Sequence, residues 1–340
     1  MAQEILREIA ELIRILEGKK VLLVCGSSFD RLDIAPAISG LSPVRFSEFA
    51  PNPVYEDVCK GVELFRNEQC DAILAVGGGS AMDVAKCIKL FSGMNPDENY
   101  LKQEFADTGI LLAAIPTTAG TGSESTRHAV IYYRGEKQSI SHPSLVPQFA
   151  CLVPSVLKDL PVYQKKCTML DALGQAIESW WSVSATEESI GYSRIAIELI
   201  RNNWKPYIRS GKRSDQILLA ANYAGRAINI TATTAAHAMS YKLTSLYGIP
   251  HGHAVGLCLA EVWEAMLDEP QLRQVFRKLP VDLEWYQRLL TELEMEYPVA
   301  GNREAELEIL ADSVNPLRLK NNPVAFDRDT LKAMYERIVQ

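Results

Sequence analysis

The chain has 340 residues, 47% hydrophobic and 23% charged, enough for two domains with separate cores. A net charge of -7 without a long basic run argues against nucleic acid as a main partner, though a local basic pocket for a small anion remains open. The mixed-charge start MAQEILREIAELIRILEGKK is no signal peptide, no window is apolar enough to span a membrane, and the seven cysteines form no CxxC pair, which together lead us to expect a cytoplasmic protein with reduced thiols.

Residues 3–17 place Ile5, Ile9, Leu12, Ile13 and Leu16 at helical spacing, which predicts an amphipathic helix. The run 21–28, VLLVCGSS, reads as a buried strand stopped by Gly26-Ser27-Ser28. A second strand is expected over 43–49, and a helix from after 51–53 to about Gln69. Asp71–Val76 is another buried strand, ending in Gly77-Gly78-Gly79-Ser80 and opening a helix. Residues 110–115 form the next strand, followed by the polar loop PTTAGTGSE. A hairpin is expected from 128–133 and 137–142, and a last strand over 149–153. Strands and helices alternating at these lengths imply a parallel sheet covered on both faces. After Pro154 helical periodicity takes over, at 165–183, 187–206, 213–229, 232–247 and 254–268. The expected organisation is an α/β domain over 1–155 and an all-helical domain over 156–340.

Two loops in the first half have the chemistry of a phosphate cradle. Glycines at Gly77, Gly78 and Gly79 allow close backbone approach, and free amides at a helix start favour an anion. Ser80 is a candidate cap for that helix, with Asp83 and Lys86 in its first turns. Alone, the triplet could equally be a tight turn. The second loop, with Thr117, Thr118, Thr121 and Ser123, strengthens the cradle, since open α/β sheets bind ligands at the carboxyl ends of their strands. The spacing is not GxGxxG, so the usual dinucleotide fingerprint is missing. At the third turn, Gly26 offers no carboxylate to repel a 2′-phosphate, while Ser27 and Ser28 can donate to one, which favours NADP(H) over NAD(H).

The second half carries the candidates for a metal. Asp171 and Gln175 share one helix face. Of five histidines, three (His237, His251 and His253) lie close together in sequence, His237 on an expected helix and His251 in the turn after it. Carboxylate, amide and imidazole groups at one point would suit a divalent ion. Each also has an ordinary reading, as a helix cap or a hydrogen-bonded polar side chain, and spacing does not choose between them.

Four blocks in order, GGGSAMDVAK, IPTTAGTGSESTR, LDALGQAIES and HAMSYKLTSLYGIPHGHA, resemble the iron-containing (group III) alcohol dehydrogenase family over roughly residues 20–265. The resemblance implies a dinucleotide domain followed by a helical domain, the dehydroquinate synthase-like fold, with the active site in the cleft between them. It also implies hydride transfer between NAD(P)H and a small aldehyde or alcohol, aided by a divalent metal such as Fe²⁺ or Zn²⁺, in a homo-oligomer. Carried over by position, Asp171, His237 and His251 match metal ligands and catalytic positions. Gln175 stands where the family normally has a histidine, and an amide oxygen is the weaker ligand. Tyr241 stands where many members have a second helix histidine; a phenol, with its ordinary pKa of about 10, must be assisted to relay a proton.

The blocks DALGQAIESWWS and HAMSYKLTSLYGIPHGHA further resemble the phosphonoacetaldehyde reductases within this family. An anionic substrate would need cationic partners, for which Arg127, Arg134, Lys137 and Lys242 are candidates, each otherwise a solvated charge. His253 either touches substrate or caps the next helix. The alternatives are a general short-chain aldehyde or alcohol dehydrogenase, an eliminating enzyme resembling dehydroquinate synthase, and an inactive nucleotide-binding homologue.

Overall fold

The two apolar runs that end in glycine-serine turns are the central strands of one parallel sheet. The structure, a computed structural model that describes residues 3–340, divides into the units Met1–Asp159 and Leu160–Gln340. The first unit begins with β1 (Glu4–Leu6), α1 (Ile9–Leu16), β2 (Val21–Cys25), α2 (Ala35–Ser39), β3 (Val44–Phe46) and α3 (Tyr55–Asn67). It continues with β4 (Ala72–Gly77), α4 (Gly79–Phe91), β5 (Leu111–Pro116), the antiparallel hairpin β6 (His128–Tyr133) and β7 (Glu136–Ser141), and β8 (Phe149–Cys151).

The sheet order is β1-β8-β5-β4-β2-β3, and every pairing is parallel. Strands β2 and β4 are buried along their whole length, as central strands covered on both faces must be. From β2 the chain steps outward to β3, then crosses back to β4 on the other side. Loops leaving β2 and β4 therefore diverge, which opens the crevice where such sheets take ligands.

The second unit is helical: α5 (Val162–Trp181), α6 (Glu187–Ser210), α7 (Ser214–Thr231), α8 (Ala235–Tyr247), α9 (His251–Met266), α10 (Arg273–Lys278), α11 (Leu283–Glu292), α12 (Arg303–Ser313), α13 (Pro316–Leu319) and α14 (Arg328–Ile338). Helix α5 is buried over most of its length and lies against α9 with almost no side chain between them. A Cβ on Gly252 would stand 1.9 Å from the Cys167 carbonyl oxygen and 2.9 Å from the Asp171 Cβ, and one on Gly174 would stand 2.6 Å from Val255 Cγ1. Glycine at these positions is what lets the two backbones touch.

Three local expectations are corrected. The helix expected over 3–17 starts only at Ile9, because Glu4–Leu6 pair with Phe149–Cys151 at the sheet edge and tertiary pairing outweighs helical spacing. Ser80 lies inside α4, whose cap is Gly78 with no side-chain hydrogen bond. His251 is the first residue of α9, after Pro250, and not part of the preceding turn. Among the described residues no helix is long and apolar enough to cross a membrane.

Candidate functional site

In the first unit, parallel pairing of β2, β4 and β5 brings the three polar turns side by side at one end of the sheet. The ladder continues one step past the strands, where Thr117 N donates to Gly77 O at 2.9 Å. A Cβ on Gly78 would meet Thr118 at 3.5 Å, and one on Gly79 would meet Thr121 Cγ2 at 3.2 Å, so the glycine turn and the threonine loop face each other closely. Gly78, the N-cap of α4, has no side chain to cap the helix, and amides at a helix start favour an anion. The turn of Gly26, Ser27 and Ser28 follows β2, with both serines exposed. Beside it Arg45 pairs with Asp30 at 2.7 Å.

Asp83 and Ser123, expected to touch the nucleotide, are engaged inside the protein. Ser123 Oγ donates to Asp83 Oδ1 at 3.1 Å and accepts from Lys86 Nζ at 3.0 Å. Lys86 is fully buried and also donates to Thr126 Oγ1 at 3.0 Å and the His128 carbonyl at 2.7 Å. Burial lowers Lys86 to about 8 against the pull of Asp83, and raises Asp83 to about 6 against the pull of Lys86. This network clips the threonine loop to α4. Gly122 adopts the left-handed region at φ 58, as the loop's reversal requires.

In the second unit Asp171, His237 and His251 converge, with their ligand atoms within 4.8 Å of one another. His237 Nε2 lies 3.3 Å and His251 Nε2 3.9 Å from the same Asp171 Oδ1. Gln175, one turn on, donates to that oxygen through Nε2 at 3.3 Å. Asp171, Gln175 and His237 are buried, while the His251 side chain is 35% exposed, so the cluster opens on the His251 side.

Each histidine is held from behind. Ser240 Oγ lies 3.3 Å from His251 Nδ1. His237 Nδ1 hydrogen-bonds Glu178 Oε2, a residue on α5 that the sequence reading missed. The other Glu178 oxygen accepts from Thr234 N, Thr234 Oγ1, Ala236 N and His237 N at 3.1, 2.7, 2.9 and 3.3 Å. Helix α8 has no side-chain cap of its own, so the buried carboxylate of Glu178 serves as one. The available signal was spacing: Glu178 falls one helical turn after Gln175 and two after Asp171. The turn entering α8 has Ala232 at φ 57 and is tied down by Asn321 Nδ2, which donates to Thr231 O at 2.7 Å and Thr233 O at 3.0 Å.

Burial opposes the charge on His237, but Glu178 and Asp171 outweigh it and push its pKa up to about 9. Burial likewise opposes ionisation of Asp171 and Glu178, yet His237, with His251 beside Asp171, carries both below their usual values. Two buried carboxylates around one protonated imidazole leave a net negative charge, which a cation would neutralise. Two Nε2 atoms and a carboxylate oxygen meeting at one point, with carboxylate and hydroxyl groups behind the imidazoles, fit a divalent metal.

The remaining candidates are distributed otherwise. His253, expected at substrate or as a cap, is buried between Tyr163, whose Oη lies 2.8 Å from Nδ1, and the Glu296 carbonyl, 2.8 Å from Nε2. The carbonyl requires the proton on Nε2, so His253 is a packing residue. It does not cap α9, because Pro250 occupies the N-cap with no side-chain bond. Arg134 is exposed at the tip of the β6–β7 hairpin, with its guanidinium over the Tyr133 ring. Lys137 is on β7, and its charge acts on Asp83. Arg127 precedes β6 and helps depress His128. Lys242 follows Tyr241 on α8. Tyr241 stacks on His251, centroids 5.4 Å apart and planes 10° apart, and its oxygen accepts from Arg318 Nη1 at 3.0 Å.

Residues 1–154 match the family model for iron-containing alcohol dehydrogenase, and residues 166–339 match that of the Fe-containing alcohol dehydrogenase family, C-terminal. The chain is 34% identical over 239 residues to the probable alcohol dehydrogenase EutG of Escherichia coli, an alignment covering 67% of this chain and 60% of that protein. It is 32% identical over 280 residues to the phosphonoacetaldehyde reductase of Streptomyces viridochromogenes, covering 76% of this chain and 71% of that one. Among solved structures, sulfoacetaldehyde reductase from Bifidobacterium kashiwanohense in complex with NAD⁺ superposes with a TM-score of 0.90 at 25% identity, covering 99% of both chains. The resemblance read from the four sequence blocks is thereby established: this chain belongs to the iron-containing alcohol dehydrogenase family.

Proposed function

We propose that this protein is a metal-dependent, NAD(P)H-linked reductase of small aldehydes, with phosphonoacetaldehyde, reduced to 2-hydroxyethylphosphonate, as its substrate. The observation that carries the reading is the convergence of Asp171, His237 and His251, backed by Glu178. Similarity to the phosphonoacetaldehyde reductase of S. viridochromogenes supports the substrate.

Asp171, His237 and His251 would hold a divalent metal, Fe²⁺ or Zn²⁺, with Gln175 beside them. When bound, the metal supplies Lewis-acid polarisation of a carbonyl oxygen and the nicotinamide supplies the hydride. Glu178, by accepting from His237 Nδ1, holds the proton of the neutral imidazole on that atom, so that Nε2 is the nitrogen that gives up its proton and ligates. Tyr241 Oη accepts from Arg318, and its hydroxyl would pass a proton to the alkoxide oxygen. The glycine turn at Gly77, Gly78, Gly79 and Ser80 and the loop at Thr117, Thr118 and Thr121 would receive the cofactor phosphates. The open turn of Gly26, Ser27 and Ser28 favours NADP(H), since no carboxylate stands on Gly26 to repel a 2′-phosphate.

The test is cofactor oxidation after anaerobic loading with Fe²⁺ or Zn²⁺, with NADPH and NADH, comparing phosphonoacetaldehyde with propanal. Metal-dependent turnover with preference for the phosphonate and for NADPH is the expected result. Equal turnover of propanal removes the phosphonate assignment, and no turnover with either metal removes the reductase.

A further inference from the structure

We propose that Arg318, a residue no sequence pattern singled out, selects an anionic substrate at this site; the inference rests on the aldehyde-reductase reading above. Arg318 lies on the single-turn helix α13, which Asn315 caps by accepting from Leu317 N at 2.9 Å. Its guanidinium carbon stands 4.8 Å from the centre of the Tyr241 ring, and Nη1 donates to Tyr241 Oη. Tyr241 in turn stacks on His251, whose Nε2 faces Asp171. The guanidinium is therefore one aromatic ring removed from the Asp171–His237–His251 cluster.

Among the described residues, three other arginines in this unit have carboxylate partners, which Arg318 lacks. Arg328 pairs with Glu308 and Asp312, Arg337 with Glu261, and Arg288 with Glu284. Arg318 is partly buried, and among the described residues no carboxylate pairs with it. Tyr241 Oη engages only part of a guanidinium with five N–H donors. A half-desolvated cation with spare, forked donors is costly to keep and is suited to a planar or tetrahedral oxyanion. The class of ligand follows from the spacing by a single ring: a short aldehyde with an oxyanion, whether phosphonate, sulfonate or carboxylate, one or two carbons from the carbonyl. The carbonyl would lie at the cluster and the oxyanion at Arg318. Of the four cations proposed from sequence, Arg127, Arg134 and Lys137 belong to the first unit and Lys242 to α8.

The experiment compares the wild type with Arg318→Met and Arg318→Lys, reading kcat and KM for phosphonoacetaldehyde, sulfoacetaldehyde, succinic semialdehyde and propanal. The ratio of kcat/KM for the best anionic aldehyde to that for propanal should fall at least about 30-fold in Arg318→Met, mainly through KM, and less in Arg318→Lys, which keeps charge without the fork. Which acid suffers most identifies the oxyanion. An equal fall for propanal and the acids would mean that Arg318 only props Tyr241 and would overturn the proposal, as would no fall at all. If the wild type reduces no aldehyde, the reductase reading fails, and calorimetric binding of 2-hydroxyethylphosphonate to the protein decides this inference by itself. Binding lost in Arg318→Met supports it; no binding to the wild type, or equal binding to both, overturns it.

Discussion

Replacing Glu178 with glutamine changes one oxygen to an NH₂ group and should weaken the cluster from behind. Four donors converge on Glu178 Oε1, and only the glutamine carbonyl can accept from them. The new amide nitrogen must then face His237 Nδ1, where the carboxylate now accepts. Donation from that amide forces the imidazole to accept at Nδ1 and to carry its proton on Nε2, the atom turned toward Asp171. A protonated Nε2 cannot ligate a metal. Loss of such a partner behind a ligand costs about 10- to 100-fold in metal affinity, or about 1.4–2.7 kcal/mol. Breaking the fully buried Glu178–His237 pair should in addition destabilise the metal-free fold by about 3 kcal/mol. Metal content per chain after dialysis against a graded series of chelator concentrations measures the first effect, and urea unfolding of the metal-free protein the second. Metal affinity within about twofold of wild type would refute the claim that Glu178 fixes the tautomer of His237.

Gly252→Ala places a methyl group 1.9 Å from a backbone carbonyl that has nowhere to go, so α9 must shift off α5. We expect a destabilisation of about 3 kcal/mol or more and a loss of bound metal, since His251 moves with the helix; an unchanged melting temperature would contradict the packing. Gln175→His returns an imidazole to the position beside Asp171 and should raise metal affinity about tenfold, measured by the same dialysis, whereas no gain would show that this side chain does not reach the ion. His128 is held neutral, its pKa pushed from 6.5 down to about 4 by burial and then by the charges of Lys86 and Arg127. Between these values the unfolded chain binds a proton that the folded chain does not, so stability increases with pH across that window and falls by at most about 3 kcal/mol as pH drops through it. His128→Asn should show a smaller loss of unfolding free energy between pH 7 and pH 4.5, and an identical loss would mean that this ring is not the source.

Sequence by itself determined the parallel sheet and the helical half. Apolar runs stopped by Gly-Ser turns can be little else than buried strands, and the periodicity after Pro154 has no strand alternative. It also named Asp171, His237 and His251, since residue type and family spacing survive without coordinates. The tertiary structure decided what depends on chain segments far apart in sequence. Glu4–Leu6 became a strand because an unpaired edge at Phe149–Cys151 was available, which no local pattern records. His253 looked like a third site histidine and proved to be a packing residue, because its two ring nitrogens are taken by Tyr163 and Glu296. Glu178 lies inside the LDALGQAIES block but was given no role there, and Arg318 belongs to no motif; the first acts across 59 residues on His237 and the second across 77 on Tyr241. Hydrogen-bond partners and charge neutralisation are properties of proximity in space, and only the packing of α5, α8, α9 and α13 brings these groups within reach of one another.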